Sequence, residues 1–578
     1  MTRRVLPLVL LLLIVASLQA ITQGVTTGSV SGKITGTESD LDATRDARPL
    51  KGATVKITSS ATGAVYGAVS RDGGRFTIRG IRPGTYVVSV SYVGYETVKR
   101  PNVRVEAGEN AVVTIALTQT GTKKEAVTVT ASADKIFDPS KTGSSSVISE
   151  QTITAAPTIN RSISDMARMN PYTSQTETSG SDGLQGLSIM GVNSRFNNFQ
   201  IDGAVSNDLF ALGSAGTAGS QANANFVSLD AIERLSVSVS PYDVRQSGFT
   251  GGLVNAITRG GTNEYHGSVF FYGRNQELVG NSPDVYHRPY ETFYDYQFGG
   301  RIGGPIVENK LLFHFTAEGR LRSTPVEVAI NDPNALNNFP VPTSVMDQII
   351  EITKTKFGYD PGTYDPFNER NNSLNMIARL DWNIDEQNKL QLRHNFTYGM
   401  QDRNLVRSAQ QFGLSSRNNT FTSINNQTVL QWNAIAGEHS ANELRVSYTQ
   451  TNDERILDTD DFPEVRIQVG SGQIVSLGPE RNSQANALDQ TLLSLTDDFT
   501  IFADDHTVTM GTHNEYSHFN NLFIADYFGS YQFPSVEAYA DSTANAYNVS
   551  YANLEQTGTP MPRAAWSLLQ VGFYAMDE

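Results

Sequence analysis

The sequence predicts a mainly β protein that ends in a large transmembrane antiparallel β-barrel, and three observations predict it. Of 578 residues, 39% are apolar and only 18% charged, with 48 Gly, 23 Tyr and 27 Phe, a balance that suits strands and turns. From Tyr265 onward, apolar and polar residues alternate with period two in segments of about ten residues. The connections between these segments alternate between short and long. Composition also excludes several classes. After the N-terminus no run of ~18 apolar residues occurs, so a polytopic helical membrane protein is excluded. A net charge of −15 argues against a nucleic-acid partner. Without Cys there is no disulfide framework, thiolate metal site or lipidated Cys. The eight His show no HExxH or paired spacing, so neither a metal nor a cofactor is expected.

Thr2-Arg3-Arg4 and the Leu-, Val- and Ile-rich stretch that follows form a basic start and a short apolar core. They read as a secretory signal peptide over residues 1–20. A membrane anchor is the competing reading, but the core is too short to span and has no stop-transfer flank. Ala20 and Val15-Ala16-Ser17 both remain open as cleavage signals.

Residues 25–119 are short strands and turns. Segments 30–35, 53–58, 66–70, 74–81, 86–92 and 111–117 alternate or run apolar, and Asp72-Gly73-Gly74 and Arg82-Pro83-Gly84 are turn signals between them. Strands this short and this evenly spaced make a small β-sandwich. The order Pro49-Leu50-Lys51-Gly52-Ala53-Thr54-Val55, Asp72-Gly73-Gly74-Arg75-Phe76, Ile81-Arg82-Pro83-Gly84, Tyr86 and Gly94-Tyr95 resembles the carboxypeptidase regulatory-like domain. That resemblance implies a seven-stranded, prealbumin-like sandwich without catalytic residues. Docking or glycan contact and a plain spacer role both stay open for it.

Residues 120–135 are a linker rich in Thr, Ser, Lys and Ala. Within it, Glu125-Ala126-Val127-Thr128-Val129-Thr130-Ala131 is one acidic residue followed by an alternating strand former. Such a segment can add to another protein's sheet edge through backbone hydrogen bonds. It resembles the TonB box of outer-membrane transporters, which implies a TonB-type inner-membrane energy-coupling protein as partner.

In residues 136–262, a short helix ending before Pro171 is followed by strand-turn units. These are Leu187-Ser188-Ile189-Met190-Gly191, Asn198-Phe199-Gln200-Ile201-Asp202-Gly203, Ile232-Glu233-Arg234-Leu235 and Gly251-Gly252-Leu253-Val254-Asn255. Their order and spacing resemble the α+β plug domain of TonB-dependent receptors. The resemblance implies a structural motif of Gly191, Asp202, Gly203, Glu233, Arg234, Gly251, Gly252 and Asn255. Read as residues alone, Asp202-Gly203 is a tight hairpin turn, and Gly251 and Gly252 serve backbone geometry. Glu233 and Arg234 read as buried or barrel-facing charges. Met190 stands where the family carries Arg. The small-residue stretch 210–225 reads as a flexible loop, with a substrate-facing role as the alternative.

Residues 263–578 carry the alternation. Tyr294, Tyr296, Phe298 and Ile302 share one face, against Asp295, Gln297 and Arg301. Met376, Ala378, Leu380, Trp382 and Ile384 repeat this against Asn375, Arg379, Asp381 and Asn383. A soluble sandwich shows the same period, so loop lengths decide. Roughly ten strands are expected, starting near 264, 291, 309, 373, 388, 419, 439, 488, 505 and 566. A barrel closed around a plug takes about 22 strands, so a truncated sequence is expected here. Tyr, Asn and Asp in the long connections 323–372 and 520–565 read as solvated filler, with sugar or metal-chelate binding as the alternative.

The expected function is therefore a TonB-dependent receptor in the outer membrane of a Gram-negative-type bacterium, contacting outer-membrane lipid and taking up an extracellular ligand. The sandwich is expected in the periplasm. A surface structural or adhesion protein on the same scaffold is the alternative. No Gly-x-Ser-x-Gly elbow or local carboxylate pair points to an enzyme.

Overall fold

The computed structural model describes residues 26–37, 48–120, 145–158, 160–176, 186–239, 243–246, 248–281, 287, 289–326, 328–332, 335, 337–437, 439–503 and 506–577. The signal-peptide stretch and the segment Glu125–Ala131 lie outside the described residues.

The N-terminal unit is a sandwich of two sheets. One has β1 (Gly28–Thr37) at its centre, flanked by β4 (Arg75–Ile81) and, in parallel, by β7 (Ile115–Thr118). The other runs β3 (Val65–Val69), β2 (Thr54–Ser59), β5 (Gly84–Ser91) and β6 (Val98–Val105). Val30, Ile34, Val55, Ile57, Phe76 and Val88 meet between them. With two further short strands, Arg48–Pro49 and Asn110–Val112, the described residues form nine strands in place of the expected seven. Strand β6 carries Pro101, which argues against a strand in sequence; it is tolerated because β6 is the edge of its sheet.

The middle unit is a mixed sheet in the order β8 (Ser145–Ser149), β11 (Ile232–Ser238), β12 (Leu253–Thr258), β9 (Asn198–Ile201) and β10 (Ala204–Val205). Two short helices lie against it, α1 (Glu150–Ala155) and α2 (Ile163–Ala167). Ser162 and Asp165 form a capping box that starts α2, satisfying the free N–H groups of its first turn.

Ten antiparallel strands follow in sequence order. They are β13 (His266–Asn275), β14 (Tyr294–Val307), β15 (Leu311–Val326), β16 (Phe367–Asn383), β17 (Asn388–Arg403), β18 (Asn419–Ala436), β19 (Ser440–Leu457), β20 (Asn486–Ala503), β21 (His506–Phe523) and β22 (Ala564–Asp577). The burial pattern is inverted relative to a soluble protein. Polar Gln297, Thr316, Asn395, Gln427 and Ser494 are buried on the inner face, while Phe298, Leu380, Leu430, Trp432 and Leu493 are exposed on the outer one. Polar-in and apolar-out is the pattern of a wall with lipid outside, and it decides what periodicity left open. Among the described residues no helix is long and apolar enough to cross a membrane.

The solvated-filler reading of 323–372 and 520–565 is corrected, since Tyr359 and Tyr539 lie in a buried core. Described residues of the four connections β15–β16, β17–β18, β19–β20 and β21–β22 fold together into one cap. Helix α3 (Thr343–Phe357) packs beside a five-stranded sheet whose strands come from three of these connections. Phe339, Met346, Phe412, Ile467, Val475 and Tyr539 form its core.

Candidate functional site: the junction of plug, wall and sandwich

The site begins with a two-residue hairpin. Asp202 and Gly203 join β9 to β10 with φ of 48° and 72°, both in the left-handed region. This is the geometry of the tight turn whose twist matches paired strands, and Asp-Gly tolerates it. Asn255 Oδ1 accepts from Gly203 N at 3.1 Å and so ties the turn to the neighbouring strand. Asp202 accepts from Thr258 N at 2.8 Å and from Thr258 Oγ1 at 2.6 Å.

The turn aims Asp202 at the wall. Arg379 on β16 and Arg393 on β17 are directly opposed partners in the barrel sheet, and both are buried. Like charges facing each other across a strand pair are destabilising. Asp202 stands near both, 3.1 Å from Arg393 Nε and 3.7 Å from Arg379 Nη1. Other donors of the two guanidinium groups find oxygens, while Arg393 Nη1 has no hydrogen-bond partner among the described residues. Arg393 Nη2 donates to Ile201 O (3.0 Å) and Gln427 Oε1 (2.8 Å). Arg379 Nη1 donates to Thr258 O at 2.7 Å, and its Nε lies 3.1 Å from Asp381. One plug carboxylate thus stands between two opposed wall cations, serving Arg393 chiefly, while Asp381 is the nearer partner of Arg379. The sequence marks Asp202 as a turn residue and, through the resemblance, as part of the plug's structural motif, but not as a partner of the wall. Sequence reading named Arg379 as part of a polar face and missed Arg393; the available signal was an arginine on the inward register of each of two adjacent strands.

A second contact lies further along the wall. Arg161 pairs with Asp230 at 3.1 Å and with wall residue Glu318 at 3.4 Å. Its guanidinium also lies 4.2 Å from the Phe270 ring centre.

The flexible-loop reading of 210–225 is corrected too. Ala215, Ala218, Ala222 and Ala224 are buried, and the loop packs directly on the wall. Its residues are small because the approach is close: a Cβ on wall residue Gly399 would sit 2.7 Å from Ala222 Cβ and 2.8 Å from Ala224 Cβ. Gly399→Ala is expected to destabilise the seated plug by about 1–3 kcal/mol through overpacking. Thermal unfolding of the purified receptor checks this.

The other motif residues sit as follows. Met190 and Gly191 form a second left-handed pair, φ 55° and 77°, closing the bridge between Ile189 and Val192. A Cβ on Gly251 would lie 2.2 Å from Asn197 Oδ1, which also accepts from Gly252 N at 3.1 Å. Arg234 is buried, but it faces the sandwich and not the wall: it pairs with Glu106 and donates to Val105 O at 3.1 Å. Burial raises the Glu233 carboxyl above its ordinary value, against the pull of Arg234, Arg82, Arg379 and Arg259. The folded protein therefore holds this proton more tightly than the unfolded chain does. The stability Glu233 contributes is full in acid and is lost as pH rises through the raised value. Glu233→Gln is expected to flatten this slope, seen as a smaller change in unfolding temperature between acid and neutral pH.

A ten-stranded wall with its apolar face outward, an inner domain ion-paired to it and a folded cap are parts of a plugged outer-membrane barrel; the described strands form an open sheet with β13 and β22 at its two edges. The comparisons agree. The Carboxypeptidase regulatory-like domain matches residues 30–118, the TonB-dependent Receptor Plug Domain residues 139–253, and an Outer membrane beta barrel domain residues 257–348 and 331–578. The TonB-dependent transporter Oar of Myxococcus xanthus is 33% identical over 136 residues, 22% of this chain and 12% of that protein. A probable TonB-dependent siderophore receptor PirA of Acinetobacter baumannii is 31% identical over 177 residues, 29% of this chain and 22% of that protein. The outer membrane transporter YddB from Escherichia coli shares the fold, with a TM-score of 0.53 and 12% identity over 75% of this chain and 54% of its own. The chain belongs to the TonB-dependent outer-membrane receptors. It spans well under two thirds of the length of each of these relatives.

Proposed function

We propose that the protein takes up an extracellular ligand through a plugged barrel and is energised from the inner membrane. In this reading, residues 25–119 are the periplasmic sandwich, 120–135 the coupling linker, 136–262 the plug and 263–578 the barrel wall. The observation that supports it best is the Asp202 junction. A plug held by buried ion pairs closes the passage firmly, and opening it requires work delivered from outside the barrel.

Glu125–Ala131 is the segment that receives this work. It is an acidic residue followed by a strand former, and a TonB-type protein takes such a segment as an added strand. Val127→Pro removes a backbone N–H and fixes φ, so it disrupts strand addition without touching the barrel. The variant is expected to reach the surface at the normal level, to lose binding to the periplasmic domain of a TonB-type protein, and to lose energy-dependent uptake. Undiminished binding and uptake would remove the segment from the mechanism.

A further inference from the structure

The sandwich does not hang free on its linker. It reaches the strand ends at each of the four short turns between described wall strands. Lys56 Nζ lies 3.0 Å from Glu386 in the turn between β16 and β17. Gly63 abuts Asn309, between β14 and β15, so closely that a Cβ there would overlap the asparagine side chain. Ile435, at the end of β18, packs on the sandwich core. The Arg71 guanidinium lies 5.6 Å from the Phe502 ring centre at the end of β20.

Two ion pairs run deeper. Arg82 Nη1 is 2.8 Å from Asp381, the carboxylate that also holds Arg379. Glu106 pairs with Arg234 of the plug. The sandwich is therefore ion-paired to the plug through Glu106–Arg234 and to the wall through Arg82–Asp381, the second set continuing through Arg379 to Asp202 of the plug. Short turns mark the periplasmic side of an outer-membrane barrel, so this seat lies across the exit.

We infer that the sandwich is a second stopper, seated in the periplasmic mouth beneath the plug, and that the passage opens only when both leave their seats. Chain order fits this device. The sandwich ends at Thr118, the plug begins at Ser145, and the coupling segment lies between them. A pull on that segment loads both bodies, and Glu106–Arg234 joins them directly. Sharing of the pull rests on the proposed function; occlusion of the mouth does not.

The chain has no Cys, so introduced thiols are unique. Lys56 and Glu386 are about half exposed, with side chains 51% and 54% accessible, and replacing them leaves the core and the buried network intact. In Lys56→Cys/Glu386→Cys receptor in outer membranes, a short, reductant-cleavable bis-maleimide is expected to join the two thiols within one chain. The receptor is then placed in planar bilayers in potassium chloride, with urea on the periplasmic face to loosen the plug. The uncrosslinked receptor is expected to conduct and the crosslinked one to stay closed until reductant cleaves the linker. Failure to crosslink, or equal conductance with the linker intact, overturns the inference. Neither readout uses a ligand or a TonB-type protein, so a failure here is distinct from a failure of the Val127→Pro test.

Discussion

Asp202→Ala is expected to destabilise the seated plug by about 3–5 kcal/mol, because it breaks a buried ion pair from one side only. Arg393 is 0% exposed and would lose its one carboxylate partner among the described residues while keeping Arg379 as its cross-strand neighbour. Arg379 retains Asp381, so the loss falls on Arg393. The substitution also removes the acceptor for Thr258 N and Oγ1 and places Ala in a left-handed turn position that it adopts poorly. Asp202→Asn separates these effects. Asn tolerates the turn and accepts from Thr258, but carries no charge. It is expected to recover the turn and leave the Arg379–Arg393 repulsion. Urea unfolding followed by protease sensitivity of the plug measures both variants. An Asp202→Ala receptor as resistant as the parent would refute the view that this carboxylate holds the plug. Because the pair is buried, added salt is expected to change the difference little.

The contrast between Asp202 and Arg393 shows how far the sequence is legible. The hairpin was readable because a two-residue Asp-Gly turn is a local signal. The wall strands were readable because each repeats its period over many residues; the observed strands begin at 266, 294, 311, 367, 388, 419, 440, 486, 506 and 564. The partner of Asp202 was not readable, because 192 positions separate Arg393 from Ile201, next to which it docks. Any inward-facing arginine would have served equally well in the pattern. Edge strand β6 was hidden for the opposite reason, since a local signal, Pro101, pointed away from a strand that only its place in the sheet permits. The seat of the sandwich was hidden because Arg82 sits in a Pro-Gly turn, where charge reads as solvated.

Phe412→Ala is expected to cost about 3–5 kcal/mol of cap stability, since a fully buried phenylalanine leaves a cavity its neighbours fill only in part. Phe412 is 0% exposed, its ring centre lies 5.4 Å from that of Phe339, and the Arg407 guanidinium lies 4.6 Å from its ring centre. These three residues come from two different long connections, and Val465, Val475 and Tyr539 bring in two more. Loops that share one core stand or fall together. The variant is therefore expected to raise hydrogen exchange simultaneously in α3, in Glu464–Gln468 and in Ser530–Phe533, while wall strands such as β18 keep their protection. Exchange rising only around Phe412 would mean that the loops are independent. Simultaneous exchange would mean that the outer mouth is covered by a preformed body, so that a ligand meets one surface of fixed shape and access requires the cap to shift as a whole.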